Sequence, residues 1–130
     1  MVKRCKERFP DVTFNAGDFL RWQPTREFDY TIAIGIHNIR IAGGWEMFKD
    51  TTRKQFELCR IASHVSILTD RYTEFAPHIQ AWKAESVLTM ALEITPYVCL
   101  RHDYLPNDFS ITLYRKPLID TINIDLESGV

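Results

Sequence analysis

The chain has 130 residues, 45% of them hydrophobic and 25% charged, with a formal net charge of −1. This is the composition of one soluble globular domain, long enough for a core, and its near-neutral charge leaves no electrostatic footprint for nucleic acid or an acidic membrane. The three cysteines, Cys5, Cys59 and Cys99, are far apart and odd in number, which argues against a disulfide framework or a metal site and fits a reducing cytoplasm; no secretory or transmembrane run is present.

Residues 1–9 read as the last turns of a helix. Lys3, Arg4, Lys6, Glu7 and Arg8 are good helix formers, and Val2, Cys5 and Phe9 recur at spacings of three and four. Pro10 and Asp11 end it. Residues 12–16 alternate as a strand, with Val12, Phe14 and Ala16 on one face. Gly17 and Asp18 close that strand. An Asp there either accepts hydrogen bonds from an exocyclic amine or sugar hydroxyl, or caps the next loop. Phe19 and Trp22 stand in a short connection, where they line a planar ligand or plug the edge of the core.

Residues 28–38 organise the rest. From Tyr30 to Ile36 there is no charge, and the run is Ile-rich and interrupted only by Gly35. Such a run predicts a strand buried on both faces, in the middle of a parallel sheet covered by helices. It turns polar at His37 and Asn38. Ligands of open α/β sheets bind beyond the carboxyl ends of strands, so residues 35–38 are the first place to look for chemistry. The plainer reading is a core strand and an ordinary loop.

After the joint Ala42-Gly43-Gly44, residues 45–62 show helical spacing at Trp45, Phe48, Thr52, Phe56 and Cys59, with a charged outer face. Residues 65–69 predict a third strand, and residues 72–80 a loop able to form a lid. Residues 85–94 predict a second sheet-packed helix with Val87, Leu88, Ala91 and Leu92 turned inward, ended by Pro96. Residues 97–102 and 109–115 read as an antiparallel hairpin. Beyond Pro117, residues 120–130 either fray or add a weak strand through Ile122, Ile124 and Leu126.

Three segments carry a resemblance: RFPDVTFNAGDF from Arg8, FDYTIAIGIHN from Phe28, and TPYVCLRHDY from Thr95 with FSITLYR from Phe109. In that order and spacing the chain resembles a class I S-adenosylmethionine-dependent methyltransferase, from the family's second helix to its last strand. The resemblance implies a three-layer α/β sandwich of Rossmann-like type, truncated at its N-terminus, with a mostly parallel sheet ending in an antiparallel hairpin. Residues 1–117 would form the partial domain and 118–130 a tail. The family's Gly-rich first loop and the acidic residue that holds the ribose are missing. Family sheets place two further strands between residues 12–16 and residues 30–36, so two strand places, roughly 14 Å, would stand empty. The sheet must then collapse, pair with another chain or expose an apolar edge.

The resemblance also implies a reaction: methyl transfer from S-adenosylmethionine to an oxygen, nitrogen or carbon of a small-molecule acceptor. Asp18 would accept from the adenine amino group and Phe19 would flank its ring. Gly35 and Ile36 would let the backbone approach the cofactor. His37 would touch the substrate or act as general base, unless its role is structural. Asn38, Tyr72, His102, Asp103 and Tyr104 would line the acceptor side, or merely pack loops and turns. No metal, nucleic acid or membrane partner is implied. Self-association through an exposed sheet edge is. Without the Gly-rich loop the isolated chain should bind cofactor poorly. The competing reading is a non-catalytic remnant serving as an interaction module.

Overall fold

The structure is a computed structural model and describes residues 1–119; the reading of residues 120–130 as a weak strand lies outside the described residues. The elements are α1 (Val2–Arg8), β1 (Phe28–Ile34), α2 (Gly44–Leu58), β2 (Cys59–Leu68), α3 (Ala84–Ile94), β3 (Val98–Arg101) and β4 (Asp108–Tyr114). The four strands form one sheet in the order β1-β2-β4-β3. β1 and β2 are parallel; β4 is antiparallel to both β2 and β3. The sheet is thus mixed, and the expected mostly parallel sheet is reduced to one parallel pair.

Strand alternation decides where the core lies. Val65 and Ile67 of β2 share a face with Ala33 of β1 and with Phe109, Ile111 and Leu113 of β4. Phe48 and Phe56 of α2 and Val87, Met90 and Ala91 of α3 belong to the same buried cluster. Both helices therefore cover one face. Among the described residues the arrangement has two layers, one helix layer short of the expected three-layer sandwich. The other face carries Tyr30, Ile32 and Ile34, then His64 and Ser66, then Ser110 and Thr112. Helix α1 buries none of its residues.

The prediction for residues 30–36 fails in an instructive way. β1 is the edge strand, and Tyr30, Ile32, Ile34 and Ile36 are 60%, 66%, 69% and 60% exposed, while Ala33 is 4% exposed. A continuous apolar run records that both faces are apolar; burial also needs something to pack on each face. Here α2 supplies one side, and no described element supplies the other. Of the three outcomes open to the sheet, the apolar edge is the one present. Residues 12–16 form no strand, which corrects the second expectation: no strand edge lies beside them to complete a ladder.

Helix α2 ends earlier than its spacing suggested. Cys59 already has extended backbone and begins β2 without a loop. Arg115, just after β4, donates from Nε to the Cys59 carbonyl at 2.9 Å and from Nη2 to the Phe56 carbonyl at 2.5 Å. Its guanidinium lies 4.2 Å from the Phe56 ring centroid. One side chain thus bonds two carbonyls at the abrupt helix end, where the Phe56 carbonyl also accepts from the Cys59 N–H. Helix α3 and the β3–β4 hairpin follow the sequence reading within a residue or two, but Leu92, expected to turn inward, is 50% exposed, and Met90 takes the buried place beside Val87 and Ala91.

The exposure of β1 is measurable by truncation. In dilute solution Ile32→Ala should cost under about 1 kcal/mol, whereas Ile111→Ala, fully buried, should cost about 2–5 kcal/mol. Denaturant unfolding of the two variants checks this, and equal losses would put Ile32 in a core.

Candidate functional site

The strand directions gather one rim. β1, β2 and β3 all end on the same side of the sheet, where β4 begins. Residues 35–38, 69–72 and 102–104, together with Asp108, therefore meet at the carboxyl ends.

Gly35 opens the rim with φ +72°, a left-handed conformation that glycine adopts without a Cβ penalty. Its N–H donates to the Ser66 carbonyl at 3.2 Å, so the turn begins while β1 is still paired. The Asn38 Nδ2 lies 3.4 Å from where a Gly35 Cβ would stand. Ile36 points largely to solvent. His37 folds inward, 8% exposed, with its ring 4.6 Å from that of Phe48. Burial lowers its pKa to about 4, so the imidazole is neutral at pH 7. Its Nε2 and the Oδ1 of Asn38 are buried and have no hydrogen-bond partner among the described residues.

Trp82 fixes this turn. Its indole Nε1 donates to the His37 carbonyl at 3.0 Å. Its backbone N–H donates to Leu68 and its carbonyl accepts from Asp70. Its ring packs 5.0 Å from Phe48 and 5.5 Å from Trp45. The segment read as a lid is fastened here too: Gln80 N–H donates to Asn38 and Arg40 N–H donates to the His78 carbonyl, each at 2.9 Å. Tyr72 stands on its outer side, ring to ring with Phe75 at 4.8 Å.

Farther along the rim His102 stacks on Phe109, and its Nε2 lies 2.8 Å from the Thr69 hydroxyl. Asp103 pairs with Arg101 in solvent, and that bond holds its carboxyl below the ordinary range. The Tyr104 hydroxyl donates to Asp108 Oδ2 at 2.5 Å, and the Ser66 hydroxyl donates to the same oxygen at 2.8 Å. Burial, then that carboxylate, raises the Tyr104 pKa. Gly35, Ser66, Asp108 and Tyr104 are thus linked bond by bond across three strands.

Asp18 and Phe19 are elsewhere. The carbonyls of Phe19 and Trp22 accept from Lys54 Nζ, near the carboxyl end of α2. The Trp22 ring lies 6.2 Å from Phe28, the first residue of β1. Seven residues of extended strand separate Phe28 from Gly35, roughly 23 Å. Asp18 Oδ1 accepts the Leu20 N–H at 3.0 Å and its other oxygen faces Arg21, so it caps its own turn. Residues 13–19 and Trp22 line an open depression of about 380 Å³, at the amino ends of the strands. Of the ten residues singled out in the sequence, the structure brings eight to one rim and leaves Asp18 and Phe19 at the other end. Trp82, Ser66, Thr69 and Asp108 were not singled out. Thr69 ends one predicted strand and Asp108 directly precedes another, both at the rim, the one signal that pointed to them. Among the described residues no cluster of metal-ligating side chains occurs and no helix is long and apolar enough to cross a membrane.

The buried imidazole sets a pH dependence. The His37 pKa lies below its unfolded value of about 6.5, so below that pH the unfolded chain binds the extra proton. Its contribution to stability is complete above about pH 6.5 and is lost as pH falls toward 4. Wild type should therefore lose more stability than His37→Phe across that window in thermal unfolding. Parallel curves would mean the imidazole is not neutral and buried.

No family model matches the chain, and no curated protein matches it. Five chains of solved structures do. One is the crystal structure of magnesium protoporphyrin IX methyltransferase (ChlM) from Synechocystis PCC 6803 with bound SAH. It superposes with a TM-score of 0.63 at 10% sequence identity, over 89% of this chain and 59% of that one. The likeness is one of fold: an α/β sheet of the kind that this methyltransferase has, of which the present chain spans 59% of the length.

Proposed function

We propose that the rim at residues 35–38 is the acceptor-side part of an S-adenosylmethionine-dependent methyl-transfer site acting on a small molecule. One observation carries the reading. His37 and Asn38 are consecutive residues whose Nε2 and Oδ1 are buried and, among the described residues, unpartnered, at the strand end where ligands of α/β sheets bind. Buried polar atoms without partners are uncommon; among the described residues Thr52, Gln55 and Ser63 carry others, within α2 and β2, and His37 and Asn38 carry the two that stand at the strand-end rim. The fold likeness to a methyltransferase crystallised with SAH agrees with it. The unpaired cysteines suit a cytoplasmic setting.

The residues present fit only part of that cofactor. Gly35 offers close backbone approach, but the pair assigned to adenine, Asp18 and Phe19, lies at the opposite ends of the strands. When bound, the cofactor supplies an activated methyl group. What this chain supplies is orientation. A neutral His37 with a pKa of about 4 accepts a hydrogen bond well but draws a proton weakly at pH 7. It therefore serves as a substrate contact in preference to a general base. Asn38 adds a second acceptor, and the Ser66–Asp108–Tyr104 chain continues the polar edge.

The separation of Asp18 and Phe19 from Gly35 favours the second reading, a methyltransferase-like module that no longer binds cofactor. One titration separates the two. With S-adenosylmethionine the isolated chain should bind at millimolar strength, since losing contacts worth about 1.4 kcal/mol each costs tenfold apiece. Amide resonances of residues 35–38 should shift on titration, and those of Asp18 and Phe19 should not. Asp18→Ala should leave that weak affinity unchanged. Silent resonances at residues 35–38 would reject the methyl-transfer reading, and a loss of affinity in Asp18→Ala would show that residues 18–19 move to the cofactor.

A further inference from the structure

We infer that the free edge of β1 is an interface for a second copy of this chain, the two β1 strands pairing antiparallel about a two-fold axis at Ile32. The inference is independent of methyl transfer.

The edge has the chemistry for pairing. Gly35 N–H bonds to Ser66 across the β1–β2 pair, so odd-numbered residues of β1 direct their backbone groups to β2. The N–H and C=O groups of Tyr30, Ile32 and Ile34 consequently face outward along the free edge. The side chains of the same three residues stand on the uncovered face, each at least 60% exposed. Edges that must stay single are blunted by lysine, proline, bulges or covering elements. Among the described residues none of these blunts the strand from Tyr30 to Ile34, and its one irregularity lies between Phe28 and Tyr30.

The strand is also complementary to itself. With Ile32 on the axis, Tyr30 faces Ile34 of the second copy and Ile34 faces Tyr30. All three pairs are then of the hydrogen-bonded kind, about six backbone bonds in all, with aromatic and β-branched side chains side by side. Asp29, the one charged residue of β1, falls opposite Gly35 and is already neutralised by Arg60, so no like charges meet. The joined sheet would have eight strands, within the ordinary range.

Sedimentation velocity on the full chain over a hundredfold concentration range tests the inference. Wild type should pass from monomer to dimer. Ile32→Lys, which sets two ammonium groups beside the axis, should shift the midpoint at least tenfold upward with an unchanged far-ultraviolet circular dichroism spectrum. Leu92→Lys, on the exposed side of α3, should dimerise as wild type. In the dimer the amides of Tyr30, Ile32 and Ile34 should be protected from hydrogen exchange. A wild-type chain that stays monomeric, or a dimer that survives Ile32→Lys or leaves those amides unprotected, would overturn the inference. So would a monomer in which they are protected, since the edge would then be covered by its own chain.

Discussion

Much of the molecule hangs on the bond from the Trp82 indole to the His37 carbonyl. It crosses from the chain entering α3 to the chain leaving β1, two segments separated by α2 and β2 in sequence. The indole body packs on Phe48 and Trp45 of α2, so the same side chain unites both helices, the parallel strand pair and the rim. Burying an aromatic ring with its N–H paired gives apolar contact and direction together. The main-chain groups of Trp82 extend β2 by one bridge at Thr69, and Gln80 holds Asn38. The turn at residues 35–38 is therefore held from several sides, although it follows an edge strand.

The one-sided core is the second constraint. Every fully buried large residue of the sheet faces α2 and α3, and the reverse face bears Tyr30, Ile32 and Ile34 beside a hydroxyl-rich strip. The strip satisfies itself: His64 Nδ1 lies 2.9 Å from the Thr112 hydroxyl, and Ser66 bonds Asp108. The apolar end of that face cannot do the same. The uncovered surface and the unpaired edge thus have a single origin in the position of β1 at the margin of the sheet.

Local pattern was legible in the sequence and global position was not. Helix α3 and the β3–β4 hairpin were readable because spacing, alternation and turn residues all agree there. The rim at Gly35 to Asn38 was readable because an abrupt change from apolar to polar marks a strand end whatever lies beside it. Ile32 was misplaced because an apolar run is the same in a central strand and in an uncovered one; only neighbours far along the chain distinguish them. Residues 12–16 alternate correctly but find no partner, and β-propensity without a ladder does not make a strand. That absence leaves Asp18 and Phe19 at the opposite end of the strands from Gly35. Trp82 gave no local sign, since its importance lies in one long-range donor.

The most direct measurement is an amide-resolved comparison of wild type with Trp82→Phe, which keeps a buried aromatic ring and deletes the indole donor. With the rim organised through that donor, chemical shifts and exchange rates should change at residues 35–38 and 78–82 while the amides of α3 and β4 stay as they were. Unchanged resonances at residues 35–38 would contradict the account, because the turn that carries His37 and Asn38 would then owe its shape to something else.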